Sequence, residues 1–225
     1  MDKVIVVGGG AAGIMAAISA AESGDSVLLI EKNEKLGKKI YITGKGRCNI
    51  TNDSDVENLL KNVRSNPKFL YSAFYTFDSY RMMDFLESEG LMIKTERGNR
   101  VFPESDKSSD VIRTLKKALE KRKVKILLNT KVNKIDIKDG ICKGVEVQSG
   151  SRSENYTADK VIVATGGCSY QSTGSTGDGY KFAKDADIKV TKCYPSLVPF
   201  NIDSDIPKRL QGLSLRNVKM TLTDK

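Results

Sequence analysis

Residues 3–13 read KVIVVGGGAAG and residues 26–31 read SVLLIE, and these two stretches decide the fold. Val4–Val7 is a short apolar run, followed at once by three glycines. Ala11–Ser23, rich in Ala, Ile and Met, then reads as a buried helix. Ser26–Ile30 is a second apolar run and ends on Glu31. Strand, tight turn, helix and strand fit within about 30 residues, the length of a parallel βαβ crossover.

Inside the turn, Gly8, Gly10 and Gly13 form G-x-G-x-x-G. Gly8 allows the tight turn, Gly10 lets a pyrophosphate approach the backbone, and Gly13 lets the helix pack closely on the strand. The amides of Ala11 and Ala12 then face outward at a helix N-terminus, whose partial positive charge favours phosphate. Glu31 lies 18 residues past Gly13, where a carboxylate accepts from ribose hydroxyls. An acid at this position speaks against a 2′-phosphate, so NADP is not expected here. A lone glycine fingerprint is a weak signal. In this chain strand, turn, helix, second strand and terminal acid occur in order.

Working outward, residues 33–52 are glycine-rich and polar around Ile40–Ile42, which predicts a short helix and then a loop. Helices are expected over Asp55–Val63, Pro67–Phe77 and Ser79–Gly90, the last with a stripe of Met82, Met83, Phe85 and Leu86. Residues 92–103 alternate around Gly98-Asn99 as a hairpin does, and Ser108–Lys121 is amphipathic, with Val111, Ile112, Leu115 and Leu119 on one face. Three β-type runs follow at Val124–Leu128, Val132–Ile137 and Ile141–Gln148, with Asp139-Gly140 as a hairpin turn. Val161–Ala164 is a fourth run and delivers Thr165, Gly166 and Gly167 beside the first glycine turn. A meander across 124–164, where a plain Rossmann domain has a helix, favours FAD over NAD. The fold class is therefore α/β: a Rossmann-like FAD/NAD(P)-binding domain with a parallel sheet and a β-meander crossover. Gly177–Ala186 reads as a helix, and 188–225 as extended segments broken by Pro195, Pro199, Pro207 and Gly212. A domain boundary is placed near residue 190.

Composition narrows the function classes. The chain has 225 residues, 39% of them hydrophobic and 29% charged, and no His. The absent His removes the commonest general base, Ser-His and Cys-His triads and any His/Cys zinc site, so no metal is expected. Cys48, Cys142, Cys168 and Cys193 form no C-x-x-C pair and read as free thiols of a reducing compartment. No apolar stretch reaches the roughly 18 residues that would span a bilayer. A first strand at Lys3 leaves no room for a signal peptide, and the protein is expected to be cytoplasmic. The net charge of +9 is concentrated in Arg113–Lys125. This run lacks the interleaved aromatics of nucleic-acid modules and reads as a solvated helix face.

Residues 42–52, ITGKGRCNITN, are long and unusual. With Gly8–Gly13, Ala164–Gly167, GSTGDG at 174–179 and PSLVP at 195–199, they give the chain a resemblance to the bacterial BaiN-like family, also known as the aminoacetone-oxidase-family FAD-binding enzymes. The resemblance covers all 225 residues in order. It implies a Rossmann-like FAD domain (1–190) interrupted by a β-rich domain with a helical insert, of which 191–225 would be the beginning. In the family the chain returns to the FAD domain for a last strand and a glycine-rich turn. This sequence stops at Lys225, without that second turn.

Carried over by position, the resemblance implies FAD contacts at Gly8, Gly10, Ala11, Ala12, Gly13, Glu31 and Lys32. It adds the Gly37-Lys38 turn, the loop of Thr43, Gly44, Gly46, Arg47, Cys48 and Asn49, and then Val132, Thr165, Gly166 and Gly167. Gly44 and Gly46 allow backbone approach, while Arg47 offers a fork of donors to phosphate or to an anionic reduced flavin, or else makes a surface ion pair. Cys48 reads as a buried structural thiol, and Asp178 as a helix cap. Members of the family are linked to amine oxidation and to reduction of steroid-like enones. The expectation is an FAD-dependent oxidoreductase with a small-molecule substrate and NAD(P)H as a candidate electron donor. No membrane association is expected, and nucleic acid is the less favoured partner. One alternative is a flavoprotein that binds or modifies tRNA. The other is an inactive fragment that does not retain FAD.

Overall fold

The computed structural model describes residues 1–195, 201–213, 218, 219 and 221. The chain divides into two units, Met1–Val190 and Thr191–Lys225.

In the first unit β1 (Lys3–Val7), α1 (Ala11–Glu22) and β2 (Ser26–Ile30) form the βαβ crossover. Next come α2 (Lys38–Ile42), a tight turn over Thr43–Gly46, β3 (Thr51–Asn52), α3 (Val56–Lys61), α4 (Tyr71–Thr76) and α5 (Ser79–Ser88). The hairpin β4 (Ile93–Glu96) and β5 (Arg100–Pro103) leads into α6 (Ser108–Lys121). Four strands come next: β6 (Lys125–Leu127), β7 (Lys131–Lys138), β8 (Ile141–Ser149) and β9 (Arg152–Thr157). They are followed by β10 (Lys160–Val163) and α7 (Asp178–Asp185).

A parallel sheet in the order β10-β1-β2-β6 is the centre of this unit. Val4, Ile5, Val6 and Val7 are each at most 5% exposed, because strand alternation sends their side chains to two covered faces. Val4 and Val6 pack with Ile14, Ala17 and Ile18 of α1 and with Val111, Leu115, Ala118 and Leu119 of α6. Ile5 and Val7 pack on the other face with Val132, Val145, Val147 and Phe182. Each such side chain contributes about 1.5–3 kcal/mol on burial, so both layers are fastened to β1 rather than to one another.

The β-meander differs from its sequence reading. The run at 124–128 is not its first strand: β6 pairs parallel with β2, Ile30 opposite Leu127, and extends the central sheet. The meander is instead β7-β8-β9. Its third strand, RSENYT, alternates with nothing apolar except Tyr156, so periodicity gave no sign of it. β3 is a second addition, pairing antiparallel with β5 through Thr51 and Val101.

Helix boundaries follow their local chemistry. Asp55 and Asp78 cap α3 and α5 by accepting from the amides of Asn58 and Arg81, and Gly90, at φ 88°, terminates the α5 turn. The basic face of α6 is committed to acids more than the sequence suggests. Arg122 bonds Glu89 at 2.7 Å and Glu22 at 2.6 Å, Lys121 lies 3.6 Å from Glu89, and Arg113 pairs with Asp110.

In the second unit, the described residues carry α8 (Ile206–Arg209) where extended chain was expected. Pro207 lies in its first turn, where a missing N–H costs no helical hydrogen bond. Residues 196–199 of the PSLVP stretch lie outside the described residues. Among the described residues, no helix is long and apolar enough to cross a membrane.

A Cβ on Gly13 would lie 1.7 Å from the Gly8 carbonyl oxygen, a backbone atom that cannot swing away. Gly13→Ala is expected to lift α1 from β1 and to destabilise the domain by about 3 kcal/mol, measured by urea unfolding.

Candidate functional site

The first glycine turn is held from three sides. Gly8 has φ 111°, donates to Ile30 O at 2.8 Å, and leaves no room for a Cβ, which would sit 2.5 Å from Ala164 O. Gly10, the N-cap of α1, is the opposite case: a Cβ there meets nothing within 4 Å. No side chain caps α1, and Ala11 and Ala12 are exposed, so the first-turn amides face open space at the positive end of a 12-residue helix.

Glu31 sits at the end of β2 and is 7% exposed. Its Oε2 accepts from the Gly9 amide at 2.6 Å, and its Oε1 from Asn33 N at 2.8 Å and Asn33 Nδ2 at 2.6 Å. A carboxylate offers about four acceptor sites, so one remains on Oε2 for a hydroxyl. Glu31 is therefore part of the turn itself, and Asn33, which sequence reasoning missed, holds its carboxylate.

These groups open into a cavity of about 790 Å³, within the roughly 300–1,000 Å³ of small-molecule and cofactor sites. Of the residues singled out in the sequence, Gly8, Gly10, Ala11, Ala12, Glu31 and Lys32 line its first wall. Lys38, Thr43, Cys48 and Asn49 line a second, and Val132, Thr165 and Gly166 a third. An apolar stretch of Met15, Ile40, Ile50, Met82, Val111 and Leu115 completes the lining.

The remaining residues stand behind these walls. Gly13 is the packing contact of α1. Gly37 begins α2 at φ 69° and donates to Gly9 O at 2.9 Å. Gly44 and Gly46, at φ 57° and 86°, shape the loop, and Gly167 O accepts from Gly177 N at 3.1 Å. Arg47 is the main departure. Its guanidinium is bound to Glu96 and Asp106 and stacks on Phe102, 4.1 Å from the ring centroid, rather than facing the cavity. Arg47 in turn holds the Glu96 carboxyl below the usual carboxylate range.

Three links bind the 168–178 segment to the 32–39 segment across the cavity. Lys32 bonds Asp178 and Thr176, both at 2.7 Å; Asn33 Nδ2 donates to Thr173 O at 3.2 Å; Lys39 donates to Ser175 Oγ at 2.7 Å. Asp178 is not the cap expected of it. Gly177, at φ 80°, is the N-cap of α7. Partial burial pulls the Asp178 carboxyl up, but hydrogen bonds from Lys32 and Thr176 hold it below the ordinary value. Lys39, also missed in the sequence, lines the cavity with only hydroxyl partners among the described residues. Burial pushes the Cys48 thiol up, and a hydrogen bond with Thr43 offsets part of that rise.

A glycine turn at an uncapped helix, an acid at the end of the second strand and a cavity joining them define a dinucleotide-binding Rossmann domain. Residues 2–222 match the family described as HI0933-like protein Rossmann domain, and the chain belongs to this FAD-binding Rossmann family. The chain is 34% identical over 204 residues to the 3-dehydro-bile acid delta(4,6)-reductase of Clostridium scindens, covering 90% of this chain and 48% of that protein. It is 29% identical to the ribosomal RNA dihydrouridine synthase of Haemophilus influenzae, over 97% of this chain and 53% of that one. The chain thus spans about half the length of the curated relatives it matches. Sdh1 of Mycobacterium smegmatis shares the fold at a TM-score of 0.66 and 20% identity, over 82% of this chain and 38% of its own. A flavocytochrome c3 fumarate reductase does so at 0.58 and 24%, over 82% and 40%.

Glu31→Ala would strip the acceptor from Gly9 and Asn33. The cofactor-free protein is expected to lose about 1–3 kcal/mol in urea unfolding, whether or not a ligand is ever added.

Proposed function

We propose that this chain is the cofactor-binding part of an FAD-dependent oxidoreductase that reduces a carbon–carbon double bond conjugated to a carbonyl group. The observation that carries the cofactor reading is a set of unmet polar groups facing one cavity. These are the first-turn amides of α1 beside an open Gly10, and the spare acceptor site of Glu31. Amides at a helix N-terminus that no side chain caps are left for water or a ligand to satisfy. The residues present fit FAD: Glu31 would take a ribose hydroxyl, Gly10, Ala11 and Ala12 the pyrophosphate, and Lys39 a further phosphate oxygen. The apolar wall of Met15, Ile40, Ile50 and Met82 suits a flat tricyclic ring better than a nicotinamide.

When bound and reduced, FAD supplies a hydride. This chain's own residues bind and orient the cofactor and keep water from the apolar wall. The reaction class comes from the relatives. A delta(4,6)-reductase and a dihydrouridine synthase, as named, both saturate a carbon–carbon double bond, and in both substrates a carbonyl polarises it. NAD(P)H is our candidate for the electron source. We favour a small-molecule substrate. The ribosomal RNA relative supports RNA as a second reading, although the basic run of α6 carries no aromatic side chain on which a base could stack.

Two measurements test the proposal. Gly10→Ala adds a methyl that meets no protein atom, so the melting temperature should hold while FAD affinity falls at least about tenfold, or 1.4 kcal/mol. Equal FAD affinity in the variant would argue against the pyrophosphate placement. Anaerobically reduced holoprotein mixed with a 3-oxo-4-ene steroid should regain its oxidised flavin spectrum. Reoxidation by a uridine-containing RNA instead would favour the RNA reading, and reoxidation by neither would count against the alkene chemistry.

A further inference from the structure

The loop between α2 and β3 has a backbone that its own sequence only half favours. Gly44, Lys45, Gly46 and Cys48 all have positive φ, at 57°, 58°, 86° and 62°. Glycine adopts this region freely, but at Lys45 and Cys48 a Cβ opposes it, so the surrounding structure must hold the loop in place. Two bonds close the loop on itself: Arg47 N to Gly44 O at 3.3 Å and Cys48 N to Thr43 O at 3.0 Å. Neither fixes where the loop lies against the rest of the domain.

Arg47 supplies that fixation. Its Nε donates to Asp106 at 2.9 Å and its Nη1 to Glu96 at 3.3 Å, while Nη2 bridges both carboxylates. Four of about five guanidinium N–H groups are thereby used. Glu96 ends β4, Asp106 follows β5, and Lys94 joins the cluster 2.8 Å from Asp106. The guanidinium carbon lies over the ring of Phe102, a core residue of β5, whose ring edge would be 3.4 Å from a Cβ on Gly44. One side chain therefore ties the loop to two chain segments and to the core, at the point where Thr43, Cys48 and Asn49 turn into the cavity.

We propose that Arg47 is a positioning residue: it sets the Thr43–Asn49 wall from behind, through Glu96 and Asp106, without touching the ligand. Partly exposed ion pairs contribute little to global stability, whereas a planar fork gripped by two carboxylates fixes geometry. Removing it should free the loop without unfolding the domain. The inference rests on the FAD reading for its ligand, and Lys45 gives a readout that does not need FAD.

The test compares wild type, Arg47→Ala, Arg47→Lys, the double variant Glu96→Gln/Asp106→Asn, and that double variant combined with Arg47→Ala. FAD affinity is measured by flavin fluorescence titration, cofactor-free stability by thermal melting, and loop freedom by the rate of trypsin cleavage after Lys45. Arg47→Ala and the acid double variant should each weaken FAD binding about tenfold, and combining them should add little, as for groups acting as one unit. Arg47→Lys should fail to restore affinity, because a point charge cannot replace the fork. Melting temperatures should stay within about 3 °C of wild type, while cleavage after Lys45 accelerates in all variants. A large loss of FAD affinity in Arg47→Ala with none in the acid double variant would mean direct ligand contact and overturn the proposal. So would a collapse of the melting temperature, which would make the role structural. If wild type binds no FAD, the cofactor reading fails by itself; faster cleavage after Lys45 would still support the pin, and unchanged cleavage would overturn it.

Discussion

The closeness of α1 to β1 is the constraint on which the rest of the site depends. Gly13 of the helix rests against the carbonyl of Gly8, and Gly8 rests in turn against Ala164 at the end of β10. The β1–α1 turn and the end of β10, far apart in the chain, thus meet at Gly8. A single methyl at either glycine would separate them. The same contact aims the first-turn amides of α1 at the mouth of the parallel sheet, where strand ends and helix N-terminus share one cavity. Glu31 closes the arrangement from the next strand by accepting from Gly9, so a carboxylate with a spare acceptor site also holds the glycine turn.

Around that centre, the candidate ligand groups are each held by a polar neighbour, and Asn33, Ser175 and Asp178 line the cavity themselves. Asn33 orients Glu31, Asp178 and Thr176 hold Lys32, and Ser175 holds Lys39. Each holding group lies on the 168–178 segment or next to the residue it serves. The cavity therefore closes only when α7 and the strand before it are in place against the first crossover. The apolar core allows this economy. β1 is covered on both faces, by α1 and α6 on one and by the meander on the other, so the polar rim needs to supply orientation rather than stability.

What could be read in the sequence was whatever carries its reason locally. The first crossover, α6 and the 92–103 hairpin each show a periodicity or a turn residue, and their boundaries agree with the structure to within a few residues. β9 could not be read, because a strand of Arg, Ser, Glu and Asn that packs only Tyr156 has no period to show. The sheet that β6 joins was equally hidden, since three apolar residues do not say which partner they will pair with. Gly177 took the cap that Asp178 was expected to provide, because the left-handed conformation there suits glycine. Lys39 and Arg47 show the deeper limit. Their partners lie 136 and 49–59 residues away, so the sequence advertised the charge but not what would meet it.

The open Gly10, the α1 amides and Glu31 are proposed to form one FAD site. That proposal is tested most directly by adding FAD to the purified cofactor-free protein, desalting, and recording the visible absorption spectrum, with NAD added as competitor in a parallel sample. The account predicts a retained flavin spectrum near one FAD per chain that excess NAD does not displace. A protein that stays colourless after desalting, or one whose flavin is displaced by NAD at comparable concentration, would contradict it.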